Sequence, residues 1–305
     1  MGALKVIALL LLVELALSAR LPPKSDVSFS QNYYVRWAND HTRALNGGTE
    51  MQLVLDKASG NNLSFFQSFS LLIKSCCMIG AGFGSRSKYL FGHVSMKIKL
   101  VPKDSAGTVT AFYMSSETDK HDEIDFEFLG NVSGQPYIVQ TNVFANGVGN
   151  REQRHYLWFD PTQDFHSYSF LWNKQQIIFY VDDVPLRVHK NNEAIGIPFP
   201  KSQPMGIYSS LWNGDDWATR GGLEKINWDH APFVAAYKGF SVDACAGGVE
   251  SCSAPRGNWW EQKAFQRTDK ETKSKLKWVK DNYMIYDYCT DSKRFPTTPA
   301  DCGQF

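Results

Sequence analysis

The chain has 305 residues, enough for one large domain or a domain with an appendage. Hydrophobic residues make up 43%, which excludes wholesale disorder, and Lys+Arg 32 against Asp+Glu 31 leaves a formal charge of +1. So small a charge provides no field that would draw the chain to nucleic acid or to an anionic membrane. At the start, Met1–Lys5 is short and basic, Val6–Leu17 is apolar except for Glu14, and Ala16–Ala19 supplies small residues. This predicts a signal peptide over 1–19, cleaved near Ala19, and a secreted protein. The run is too short and too interrupted to span a membrane.

From Phe29 to Phe240 the texture predicts strand after strand. Val94–Leu100, Thr108–Tyr113 and Ile177–Val181 read as alternating strands. Asn146-Gly147, Asn173 and Asp182-Asp183 supply turn signals. Short strands without intervening helices imply an antiparallel sandwich over 20–240. Asp56–Gly60 and Ala81–Ser85 read as loop. Between them Asn61–Gly80 is apolar, lacks alternation and contains the vicinal pair Cys76-Cys77.

Past Cys245 the texture changes, and 241–305 reads as a C-terminal extension. Thr268–Asp281 predicts a helix started by Asp269, and Tyr283–Tyr286 a last strand. In an oxidising compartment Cys245, Cys252, Cys289 and Cys302 are expected to be bridged. Local pairing, Cys245 with Cys252 and Cys289 with Cys302, is the simplest of three connectivities. A zinc site is the rival use of four cysteines, but no CxxC pair occurs.

The segment that carries chemistry is His121-Asp-Glu-Ile-Asp-Phe-Glu-Phe-Leu-Gly130. On a strand, Glu123, Asp125 and Glu127 share one face and Ile124, Phe126 and Phe128 the other. Three carboxylates on one face repel each other, and no Lys or Arg interleaves them. The bland alternative is a solvated strand face beside an acidic turn. Two carboxyls flanking a glycosidic bond are what acetal cleavage needs, one attacking the anomeric carbon and one protonating the leaving oxygen. Glu123 is expected as the ionised nucleophile, Glu127 as the acid/base whose pKa its neighbours raise, and Asp125 as the group holding Glu123. At ~3.3 Å per residue the two Glu Cα atoms lie about 13 Å apart, wider than the carboxyl spacing of a retaining site, so side chains must lean together. Aromatics at 14% suit a β-rich core and suit stacking on sugar rings equally.

Glu123–Asn131 resembles the catalytic signature of the plant xyloglucan endotransglucosylase/hydrolases, within glycoside hydrolase family 16. The likeness extends through Gln140–Asn142, Asn150–Glu152, Ser209–Asn213, Asp216–Gly222, Trp259-Trp260 and Tyr286–Cys289. It implies an all-β jelly-roll sandwich with a concave substrate cleft and a disulfide-bonded extension. It implies retaining cleavage of the β-1,4-glucan backbone of xyloglucan and transfer of the glycosyl-enzyme to another chain end in the plant cell wall. By position, Glu123, Asp125 and Glu127 match the catalytic carboxylates. Gln140, Thr141, Asn142, Asn150, Arg151, Glu152, Asp216, Trp217, Gly221 and Arg294 match sugar-contacting positions, and Asn131-Val-Ser133 a glycosylation site. Trp158 and Trp212 are expected in the core, and His121 receives no role. Xyloglucan donor and acceptor chains are the implied partners of a monomer, and no metal or cofactor is implied. The Arg220-Gly-Gly222 loop resembles transferase members; a xyloglucan hydrolase is the alternative, a mixed-linkage glucanase fits the cysteine-bearing extension less well, and an inactive wall-polysaccharide-binding protein is the reading from another class.

In one place the chain departs from the family, which joins Ser59-Gly60 almost directly to Gly82-Phe83. The intervening Asn61–Gly80 reads as a retained intron or a misplaced splice boundary. A genuine insertion would expose Phe65, Phe66, Phe69, Leu71, Leu72 and Ile73. It would also add a sequon at Asn62.

Overall fold

Alternation of apolar residues along the strands is realised as two stacked sheets. The computed structural model describes residues 21, 27–59, 80–254 and 257–302. The expected signal peptide, the Asn61–Ile79 part of the foreign segment and Cys76-Cys77 lie outside them. In chain order the strands are β1 (Tyr33–Trp37), β2 (Thr42–Leu45), β3 (Glu50–Leu55), β4 (Gly80–Ser85), β5 (Gly92–Lys99), β6 (Thr108–Ser115), β7 (Glu123–Leu129) and β8 (Ile138–Phe144). They continue with β9 (Gln153–His155), β10 (His166–Trp172), β11 (Gln176–Val181), β12 (Val184–Lys190), β13 (Gly206–Asn213), β14 (Phe233–Ala244) and β15 (Met284–Asp287). Among the described residues the α-helices are α1 (Phe29–Asn32), α2 (Val249–Ser253) and α3 (Lys270–Asn282).

One sheet has eight strands in the order β1-β4-β13-β6-β7-β8-β9-β15, the other seven in the order β12-β11-β10-β5-β14-β3-β2. Neighbours pair antiparallel throughout, giving the jelly-roll-like sandwich that the sequence predicts. Between the sheets lies an aromatic core centred on Phe126 of β7. Its ring meets Phe170 at 5.1 Å and Phe179 at 5.3 Å from the facing sheet, and Phe112 and Phe128 from its own. Ile124, Phe126 and Phe128 are fully buried, so a one-residue slip of β7 would bury its carboxylates instead.

Ala81–Ser85, read as loop, is strand β4. Its glycines alternate: a Cβ on Gly82 would sit 2.2 Å from the Trp37 ring, and one on Gly84 2.8 Å from the Tyr208 ring. Glycine here makes room for aromatic rings crossing the outer face, a strand use of glycine that resembles a turn signal in sequence.

The extension packs on the sandwich. β15 pairs with β9 and so becomes the last strand of the eight-stranded sheet. Asn173, in the β10–β11 turn, donates from Nδ2 to the carbonyls of Trp260 and Phe265 at 2.8 and 2.9 Å. Both disulfides adopt the local pairing, Cys245–Cys252 and Cys289–Cys302. α3 begins where Asp269 caps it, its side chain accepting from Thr272 N at 2.7 Å, and buries Val279. Asp269→Ala is expected to cost about 1 kcal/mol. A thermal melt unchanged by that substitution would show the cap to be inert. Trp158, expected in the core, is only half-buried and packs at the edge against Trp278 and Tyr283, with ring centroids 5.4 and 5.6 Å away.

Candidate active site

β7 runs through the middle of the eight-stranded sheet and presents Glu123, Asp125 and Glu127 on the face turned away from the core. Cross-strand register decides their neighbours. Ser115 and Phe144 flank Glu123, Tyr113 and Asn142 flank Asp125, and Ala111 and Gln140 flank Glu127. The setting is partly enclosed: Asp125 is 6% exposed, while the two glutamates are half-buried.

Burial therefore dominates their chemistry. It raises Glu123 to about 7, with the charge of Glu127 adding to it. Asp125 is raised well above the ordinary range by burial first, then by Glu127 and Glu123. Glu127 is raised by burial and by the nearby charge of Glu152. Glu127 is raised as expected, but in all three the first cause is burial rather than like charge. The row behaves as one titrating unit with fewer than three charges. Asp125 Oδ1 lacks a hydrogen-bond partner among the described residues. A proton on Asp125 can be given to Glu123 as a hydrogen bond, an interaction that favours ionised Glu123.

Glu127 is held by a relay that the sequence reading overlooked. Arg154 Nε donates to Gln140 Oε1 at 2.7 Å, and Gln140 Nε2 donates to Glu127 Oε2 at 2.6 Å. The arginine fixes which way the amide points, so Glu127 always meets a donor. Arg154 also lies 5.4 Å from the Tyr286 ring. Its one sequence signal is its position two residues beyond Glu152, on a strand paired with Gln140. His121, given no role, approaches Glu123 at 4.0 Å and rests on the Phe144 ring; burial lowers its pKa and favours the neutral imidazole.

The sequence-predicted contact residues separate into groups. Gln140 and Asn142 stand on the carboxylate face, with Asn142 Oδ1 accepting from the Arg151 and Val143 backbone N–H groups. Asn150, Glu152 and Arg294 converge: Arg294 donates to Glu152 Oε2 and to Asn150 Oδ1, each at 2.7 Å. Asp216, Trp217 and Gly221 lie in the loop after β13, where Thr219 ties the loop to the end of β7 by donating to the Gly130 carbonyl at 2.8 Å. Asp216 is exposed, and Trp217 sits 6.1 Å from Trp212, ring to ring. Trp212, expected in the core, is half-buried there instead.

Two expected contacts are corrected. Thr141 pairs with Phe126 and shares its core side, so it is fully buried and its hydroxyl accepts from Arg187 at 3.0 Å. Arg151 is 8% exposed, and its guanidinium is consumed by Asp301 at 2.8 Å and by the carbonyls of Val143, Val148 and Gly149. It clamps the tail; its backbone N–H, bonded to Asn142, is what bears on the site.

A row of carboxyls with an oriented amide relay suits glycosidic chemistry. Residues 29–230 match the model of the glycosyl hydrolases family 16, and residues 254–302 match the xyloglucan endo-transglycosylase (XET) C-terminus. The chain belongs to glycosyl hydrolases family 16. Among relatives, a probable xyloglucan endotransglucosylase/hydrolase protein 5 of Arabidopsis thaliana is 56% identical over 286 residues, covering 92% of this chain and 91% of that protein. Xyloglucan endotransglucosylase protein 34 of Populus tremula x Populus tremuloides is 53% identical, covering 97% and 95%. Among solved structures, a Bacillus licheniformis beta-glucanase superposes with TM-score 0.51 at 25% identity, covering 72% of this chain and 97% of that one. The family 16 model ends before β14, and the XET region begins after Cys252. β14 of the sandwich thus lies outside both matches, and β15 of the eight-stranded sheet lies within the second. Among the described residues no helix is long and apolar enough to cross a membrane.

Proposed function

We propose that this family 16 enzyme is a xyloglucan endotransglucosylase acting as a secreted monomer in the plant cell wall and apoplast. The observation that carries the reading is the row Glu123-Asp125-Glu127 on the open face of β7, beside the Arg154–Gln140 relay. The XET-type extension adds Arg294 to the same neighbourhood.

In the proposed mechanism the Glu123 carboxylate attacks the anomeric carbon of a backbone glucosyl unit. The C1–O bond breaks as Glu127 gives its proton to the leaving hydroxyl, and a glycosyl ester forms on Glu123. Esterification removes the charge of Glu123, so Glu127, now ionised and steadied by Gln140, takes the proton of an acceptor hydroxyl. That oxygen attacks C1, the ester bond breaks and Glu123 returns as carboxylate. Asp125 holds Glu123 in line by a hydrogen bond throughout. Sugar hydroxyls are assigned to Gln140, Asn142, Asn150, Glu152, Asp216, Gly221 and Arg294, and a stacking face to Trp217. Asn131, in the turn after β7, is the proposed acceptor of an N-linked glycan.

Transfer rather than hydrolysis requires the acceptor to displace water from its place beside Glu127. Incubation with xyloglucan and a fluorescent xyloglucan oligosaccharide is expected to move label into polymer. Reducing ends released without polymer labelling would identify a hydrolase, and binding without either product a polysaccharide-binding protein.

A further inference from the structure

Arg187 stands in β12, in the sheet that carries no member of the carboxylate row, and it is 3% exposed. It crosses the interior to the back of the catalytic sheet, where Nη1 donates to Thr141 O at 2.9 Å and Thr141 Oγ1 at 3.0 Å. Both acceptors are neutral. The rings of Phe179 and Tyr288 lie 5.6 and 5.9 Å from the guanidinium carbon. A cation taken out of water is costly unless nearby negative charge offsets it. An arginine holds its proton even there.

The titratable groups that share its field come from every element around it. Asp125 of β7, Asp287 and Tyr288 of the tail favour the cation; Arg151 opposes it. His155 of β9 and His189 of β12 are held neutral, by burial first and by Arg187's charge second, His155 being pushed down to about 3. Thr141, which Arg187 holds, lies between Gln140 and Asn142, the residues paired with Glu127 and Asp125. The catalytic segment has no basic residue among its carboxylates.

We infer that Arg187 is a positioning residue of the carboxylate row, a fixed positive charge behind β8 that acts through Asp125 to favour one ionised carboxylate in the row. This rests on reading the row as the reacting groups. Removing a fixed cation makes each proton leave the row at higher pH. The acid limb, where the row gains its first charge, and the alkaline limb, where the acid/base loses its proton, therefore rise together. Height is kept while position changes.

The test is the pH profile of kcat/KM for xyloglucan transfer in the full chain. Arg187→Met is expected to displace the whole bell upward by about one pH unit, so that rate on the acid limb falls about tenfold. KM at the respective optima should stay within about twofold, because Arg187 lies on the far side of the sheet. Arg187→Lys should return the bell to its parental position. A purely structural arginine predicts a lower bell or a lower Tm with unmoved limbs, and that result would overturn the inference. Should Arg187→Met not fold, Arg187→Gln decides, since it keeps a donor for Thr141 but no charge: its bell should be displaced upward in the same way, and unmoved limbs there refute the inference. Glu123→Gln, measured alongside, tests the row itself. Parental turnover there would remove the reading on which this rests, whereas unmoved limbs in Arg187→Met with an inactive Glu123→Gln count against Arg187 alone.

Discussion

Glu123→Gln is expected to lose at least about 10⁴-fold in transfer while becoming more heat-stable than the parent chain. The loss follows from the proposed role: a neutral amide of the same shape cannot form the glycosyl ester, so the reaction has no intermediate to divide it. The gain follows from burial. In the unfolded chain Glu123 titrates near the ordinary glutamate value of about 4.3, whereas in the fold it is raised to about 7. A carboxyl whose folded pKa is raised favours the fold only while protonated, so wild-type stability declines as pH rises from the unfolded value towards the folded one. Glutamine carries no such charge. Below about pH 4 the two melts should therefore converge, and near pH 7 the variant should melt higher. Glu127→Gln should lose about 10²–10⁴-fold with leaving groups that need protonation and much less with activated ones. Melts at both pH values and initial rates on both substrate types check all of this. A Glu123→Gln protein that turns over normally, or that melts lower at pH 7, contradicts the reading.

Opening the Cys289–Cys302 bridge is expected to strike stability and acceptor use together. The bridge closes a separation of 13 residues, for which loop entropy gives roughly 3 kcal/mol. More than entropy is involved, because the closed loop carries Arg294, with its bonds to Asn150 and Glu152, and Asp301, the partner of Arg151. Arg151 is nearly buried, so a tail that swings away leaves a cation without its counter-charge, which is worse than never having had one. A Cys289→Ser/Cys302→Ser protein should melt several degrees lower, and the Glu127 side of the site should loosen. Product ratios at a temperature where both proteins are folded give the sharper reading. Labelled polymer should fall relative to released reducing ends, since water needs no positioning and an acceptor chain does. An unchanged ratio would show that the tail contributes stability alone.

Much of this was legible in the chain. Period-two alternation marked β5 and β6, Asp269 marked the start of α3, and the carboxylates of β7 announced themselves by sharing a face against Ile124, Phe126 and Phe128, whereas β11, read as alternating, is buried on both faces. What escaped notice depends on partners distant in sequence. β4 looked like loop because its glycines answer to Trp37 and Tyr208. Thr141 shared a stretch with Gln140 and Asn142 and was assigned with them, although alternation puts it on the opposite face. Arg151 and Arg294 are both arginines near the same stretch, yet one is locked by four partners inside the protein and the other lies at the surface. Arg154 became visible only once β9 was paired with β8. The first cause of the raised carboxylates was misjudged for the same reason: like charge can be counted along a strand, but burial cannot.

The addition of β15 to β9 has a further consequence. A sheet's last strand exposes unpaired N–H and C=O groups that can recruit a strand from another molecule. β9 is three residues long and would otherwise form that border. The tail covers it with a four-residue strand of its own, leading into the Cys289–Cys302 loop. A border so short gives a neighbouring chain little to pair with. The segment that brings Arg294 to Glu152 and Asn150 thus also forms the sheet's border, and loss of the tail, which bares the backbone groups of β9, would show as turbidity as well as altered products.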